Sequence, residues 1–199
     1  MVNESSYWKA DLAREIKTLG RHLERYKAPK KRDPSPSDLL SYEIERFAFL
    51  TAFITRKLLD SVKLSQELES ENIKLRAFPG RKRPYKRQEG EHEIMERFRF
   101  SSSRWVALSL RRLCDILIHS SDFHIAFTKE RELFVSFNSD RTKTELYEMA
   151  LPALIAVAGA VAADDVVYSH AVWDSKLGRR REIIRSRNHP RDEDVYRRP

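Results

Sequence analysis

One cysteine, five glycines and no apolar run long enough to cross a bilayer set the first limits on this 199-residue chain. With Cys114 alone, an internal disulfide framework and a multi-cysteine zinc site are both excluded, and a reducing, cytoplasmic setting is expected. Gly20, Gly80, Gly90, Gly159 and Gly178 stand singly, so neither a phosphate-cradling P-loop nor a dinucleotide fingerprint can form. Nucleotide hydrolysis by those routes is out. The longest apolar stretch, Leu151 to Ala163, falls short of the ~20 residues a membrane span needs and is closed by Asp164-Asp165. It reads as a buried helix of small residues, with Pro152 tolerated in its first turn. Met1 to Trp8 is polar, so no signal peptide is expected. No internal repeat is present.

What the chain does have is apolar mass and positive charge. Hydrophobic residues make up 41%, with 10 Phe, 7 Tyr and 3 Trp, enough for a real core. The formal charge of +8 points to an anionic partner, most simply nucleic acid. The charge is uneven: Lys74 to Arg87 holds seven Lys/Arg and no acid, and Lys176 to Pro199 holds nine Lys/Arg against four acids. Arg76, Arg81, Lys82, Arg83, Lys86 and Arg87 are therefore candidate backbone-binding residues, with Tyr85 placed to stack on a base. Arg179, Arg180 and Arg181 form a second candidate group. A solvated loop that keeps the protein in solution is the plainer account of such runs.

Periodicity supplies the elements. Trp8, Leu12, Ile16, Leu19, Leu23 and Tyr26 recur every three or four residues and predict a helix over about 5–26. Ser35-Pro36-Ser37-Asp38 offers a capped start to a second helix. Its apolar residues predict a central position and a reach to Leu64 or beyond. Ile73, Leu75 and Ala77 alternate with Lys74 and Arg76, which permits a short strand. Ser103 offers a cap for a third helix running to about Ser121. Residues 123–127, 133–137 and 144–149 alternate with period two and predict an antiparallel meander, and Leu151 to Val166 supplies the last core helix.

The third helix carries Arg111-Arg112-Leu113-Cys114-Asp115-Ile116-Leu117-Ile118-His119. At about 100° per residue, Arg112 and His119 lie about 20° apart around the axis, with Asp115 within about 60° of both. Three ionisable groups beside a core-facing stripe cost desolvation unless they pair, line a cleft or meet a partner. Arginine can neutralise charge on a phosphate, histidine can act as general acid or base, and aspartate can orient it, a set suited to metal-independent RNA cleavage. The plainer account of the same residues is an Arg–Asp pair closing the end of the helix, with His119 as a polar C-terminal cap. Asp115, His119, Asp122 and His124 also permit a metal site, but without a diagnostic spacing, so no metal and no cofactor is expected. Cys114 and His119 are turned too far apart for a nucleophile pair.

An arginine and a histidine with six residues between them, in a helical chain, resemble the HEPN superfamily of nucleotide-binding and ribonuclease domains. The wider stretch from Leu113 to Ser120 resembles uncharacterised bacterial proteins. The HEPN resemblance implies a helical bundle and a homodimer whose composite site uses Arg112 on phosphate and His119 in acid–base or positioning work. Leu113 departs from the Asn, Asp or His usual after that arginine, and the motif lies in the third helix rather than the last.

The expected fold is α+β: mainly an α-helical bundle of about four helices, with a small antiparallel β-meander inserted between the third and fourth. Residues 1–167 form one domain, and 168–199 a basic arm, partly helical or disordered. The expected function is RNA binding by a HEPN-like protein, with metal-independent endoribonuclease action of the toxin or antiviral-defence kind. The alternative is a non-catalytic adaptor or structural subunit that docks on nucleic acid or an acidic protein partner through its basic segments. Expected partners are RNA or another nucleic acid, a second copy of the chain and a protein partner, but not a membrane.

Overall fold

The apolar repeat at the start of the chain forms helix α1 (Ser5–Lys27), which buries Leu12, Leu19 and Tyr26. The computed structural model describes residues 5–27, 35–81, 97–139, 144–174 and 179–186. Helix α2 (Asp38–Asp60) starts at Ser37 rather than Ser35: the Ser37 hydroxyl accepts from the Leu40 N–H at 3.3 Å. It buries Leu40, Ile44, Phe47, Ala48, Ile54 and Leu58 and packs against neighbours on more than one side, as its all-round apolarity predicts. The helix stops short of Leu64. At its end the Lys63 N–H reaches back 2.9 Å to the Leu58 carbonyl, and Val62 sits in the left-handed region at φ 58°.

Five strands form the sheet: β1 (Asn72–Pro79), β2 (Arg104–Ser109), β3 (Ser120–Phe127), β4 (Leu133–Ser139) and β5 (Glu145–Ala150). They lie in the order β2-β1-β5-β4-β3, each antiparallel to its neighbours. The helices interleaved with them are α3 (Gln66–Glu69), α4 (Leu110–Ile118) and α5 (Leu151–Ala163). This corrects the expected four-helix bundle with a small inserted meander. The meander is there, as β3, β4 and β5, but β1 pairs with β5 and extends it into a full sheet.

Two features hid that sheet. The β1–β5 pairing joins Arg76 to Glu148, a contact no local pattern encodes. The second is β2. Val106, Leu110, Leu113 and Leu117 share helical spacing, so 104–118 reads as one helix capped by Ser103. In the structure Ser109 is the cap, accepting from the Arg112 N–H at 3.3 Å, and the residues before it pair with β1. Within 104–109, Val106 and Leu108 keep the period of two and face the core.

Every strand residue in the main core belongs to one face of the sheet: Ile73, Leu75, Ala77, Leu133, Val135, Phe137, Tyr147 and Met149. α4 lies against β1, β2 and β4, and α5 against β4 and β5, while α1 packs on α2 and α5, and α2 on α4. At one end of this helical layer Asp164 is pinned. Its carboxylate accepts from the Ser65 N–H at 2.9 Å and the Ser65 hydroxyl at 2.7 Å, and pairs with Lys9 at 3.8 Å. Burial pushes the Lys9 ammonium below its ordinary pKa despite the charges of Asp164 and Asp165.

The other face has no such layer among the described residues. Only Phe78, Leu146 and Phe98, with Phe100 against them, make a small second core at one end. Beyond α5, β6 (Val166–Asp174) and β7 (Arg179–Ser186) pair as an antiparallel hairpin, with β7 near α3. Where a partly helical or disordered arm was expected, these residues are strands; 187–199 lie outside the described residues. Among the described residues, no helix is long and apolar enough to cross a membrane.

Candidate nucleic-acid interface

Helix α4 is short because Ser109 starts it and His119 ends it. His119 occupies the C-cap with φ −104° and ψ 25°, and its N–H reaches the Asp115 carbonyl at 3.2 Å. Arg112 lies in the first turn and His119 just past the last, so they stand seven positions apart, about 10 Å along the axis. The wheel alignment is real, but the two groups occupy opposite ends of the helix. His119 is exposed and Arg112 half-buried.

Their neighbours differ as well. Asp115 forms an ion pair with Arg56 of α2, not with His119 or Arg112. Arg56 also bonds both Asp60 oxygens at 3.0 Å, and Arg111 reaches Asp60 at 2.6 Å and Glu69 at 3.2 Å. Although burial works against it, hydrogen bonds from Arg111 and Arg56 hold the Asp60 carboxyl below its usual range. The same bonds raise both guanidinium pKa values. This network clamps α2, α3 and α4 together, and Arg111, which the sequence offered no reason to single out, is its hub.

Arg112, next to Arg111 in the first turn, lies close enough to Tyr147 for its charge to oppose the shift of that phenol. Burial first, and then the 2.8 Å hydrogen bond to Glu145, push Tyr147 up to about 12. Glu145 also pairs with Arg104. Cys114 is buried, and desolvation pushes its thiol up to about 12, so it is no nucleophile at neutral pH.

Asp115, His119, Asp122 and His124 do not come together as a metal site. Asp115 is held by Arg56, and Asp122 by Arg97 at 2.8 and 3.1 Å. Among the described residues no cluster of three or more His, Cys, Asp or Glu could hold a metal ion.

The basic residues lie elsewhere. Leu75 and Ala77 point into the core that α4 covers, so Lys74 and Arg76 project from the opposite face. The structure therefore places Arg76 and Arg112 on opposite sides of the sheet. The cross-strand registers line up Trp105, Arg76, Glu148, Ser136 and His124 in one row across all five strands on this second face. Its middle is sheltered: Ser136 is buried and donates to Glu148 at 3.4 Å, while Arg76 reaches Glu148 at 3.3 Å.

The β2 end of the row is open, with Trp105 72% exposed and Lys74, Arg76 and Ala107 exposed around it. Trp105 is the residue that the sequence reading missed. The signal was the alternation Arg104-Trp105-Val106-Ala107-Leu108, which sets the indole out of phase with Val106 and Leu108.

Just past β1 the Gly80 N–H donates to the Thr144 carbonyl at 2.6 Å, and the exposed Arg81 follows. Lys82, Arg83, Tyr85, Lys86 and Arg87 lie outside the described residues. The backbone of Arg179, Arg180 and Arg181 opens β7. When the chain is compared with known proteins, no family model matches it, and no match is found among curated proteins or solved structures.

Proposed function

We propose that this chain is a nucleic-acid-binding module with no catalytic action of its own. The observation that carries the reading is the separation of the two candidate sets. The cations of β1 emerge on the face that no helix covers among the described residues, and Arg112 and His119 belong to a helix on the other. A phosphate held at Arg76 is thus remote from both groups that would act on it. Asp115, the third member of the catalytic set, is committed to Arg56. The formal charge of +8, concentrated in sequence around β1, favours a polyanion.

One observation favours a second reading, the HEPN-like metal-independent endoribonuclease: His119 is exposed and Arg112 is partly so, and both are reachable by solvent. That reading needs a homodimer in which two copies of α4 bring their Arg112 and His119 together. Incubating labelled RNA with the protein in EDTA separates the two. Intact RNA that is bound, with affinity falling steeply as salt rises, supports the module. Cleavage lost in both Arg112→Ala and His119→Ala, with binding retained, replaces it with the nuclease.

A further inference from the structure

We infer that the β1–β2 half of the open sheet face is a stacking platform for single-stranded nucleic acid, with Trp105 taking a base and Arg76 and Lys74 the flanking phosphates. This rests on the nucleic-acid reading above and gives it a place and a strand preference.

The argument starts from Trp105, a large indole on an edge strand that is 72% exposed. Leaving so much aromatic surface in water is costly, and a pairing partner for it is usually apolar. Its surroundings do not suit an apolar protein partner. The residue directly opposite is Arg76, and the next pair on the same face is Ala107 with Lys74. Among the described residues there is thus no contiguous apolar patch around it, but one flat ring bordered by two cations and a small residue. Arg76 keeps 47% of its side chain exposed while touching Glu148 at 3.3 Å, so the pair leaves donors free to turn outward.

A flat π surface beside two cations, one of them a strongly hydrated point charge, is complementary to a base with its adjoining phosphates. A duplex keeps its bases inside the stack and cannot offer one to Trp105; a single strand can. Arg81, two residues beyond β1, is exposed and adds positive charge near the end of that strand. Stacking tolerates any base, so the platform reads strandedness rather than sequence.

The test is fluorescence anisotropy with a labelled oligouridylate and, beside it, a duplex of equal length, using the full chain. The wild type should bind the single strand more tightly than the duplex and show quenching of its indole emission. Trp105→Ala should weaken single-strand binding about tenfold, within the range expected for loss of one stacked base, without changing the salt slope. Trp105→Phe should recover most of the affinity while losing the quenching. Lys74→Ala should lower the slope of log affinity against log salt by about 0.7.

If Trp105→Ala misfolds, Trp105→Phe decides: near-wild-type affinity with the quenching lost supports the platform, and quenching unchanged from wild type overturns it. Wild-type affinity in Trp105→Ala, or equal affinity for duplex and single strand, overturns the platform while leaving the nucleic-acid reading standing. No binding of either probe at low salt overturns both.

Discussion

The two faces of the five-stranded sheet use the same strands and the same registers, and they do opposite things. On one face, Ile73, Leu75, Ala77, Val135, Phe137 and Met149 are buried beneath α4 and α5. On the other, one residue along, the β1–β2 half shows Trp105, Arg76, Lys74 and Ala107 to solvent. Stability should therefore reside on the first face and binding on the second. A single-residue slip in register would exchange the two sets, which is why the buried face specifies the pairing so strongly.

Substitutions can break that comparison or sharpen it. The largest effect is expected from Phe137→Ala, which empties a fully buried ring site on β4. A loss of about 4 kcal/mol in denaturant unfolding is expected, and a loss under about 1 kcal/mol would mean the covered face is not the core. Next is Asp164→Ala, expected to cost about 3 kcal/mol because Lys9 and Ser65 lose a buried partner.

The covered face should also respond to alkali. Cys114 keeps its proton to about 12 when folded, but ionises from 9.0 once exposed by unfolding. The folded state then binds more protons across that window, and stability falls as pH rises, by up to about 1.4 kcal/mol per pH unit from this group. Cys114→Ala should remove that part of the slope in unfolding measured from pH 9 upward.

Val62→Gly should raise stability by about 1 kcal/mol. A β-branched residue at φ 58° is strained, and glycine is the residue that favours a helix end of this geometry. Smallest of all is Trp105→Ala, expected to shift stability by less than about 0.5 kcal/mol because so little of the ring is buried. A large loss there would place Trp105 in the fold rather than on its surface.

The same two faces explain what could be read from the sequence. Long helices were legible because burial on a helix repeats locally: α1 appears within a residue of its expected end, and α2 and α5 lie where their apolar residues put them. The meander was legible because β3, β4 and β5 alternate and follow one another. The sheet as a whole was not, since β1 meets β5 across some seventy residues.

Local patterns also misled at one point. Val106, Leu110 and Leu113 fit a helix as well as a strand, and the neighbouring edge of β1 decides for a strand up to Ser109. For the candidate site, a helical wheel captured the angular alignment of Arg112 and His119 but not the axial distance between them. It also could not show that Arg56, from another helix, holds Asp115. Lys74 and Arg76 were visible as charge, and only the sheet shows which way they face.

The most direct test of the account is a two-dimensional NMR titration of the protein with a single-stranded oligonucleotide, read at backbone amides. The shifts should concentrate in Asn72–Pro79 and Arg104–Ser109 and leave the amides of Leu110–Ile118 nearly unmoved. Shifts centred on Leu110–Ile118 and His119, with β1 and β2 silent, would contradict it and move the function to the helical face.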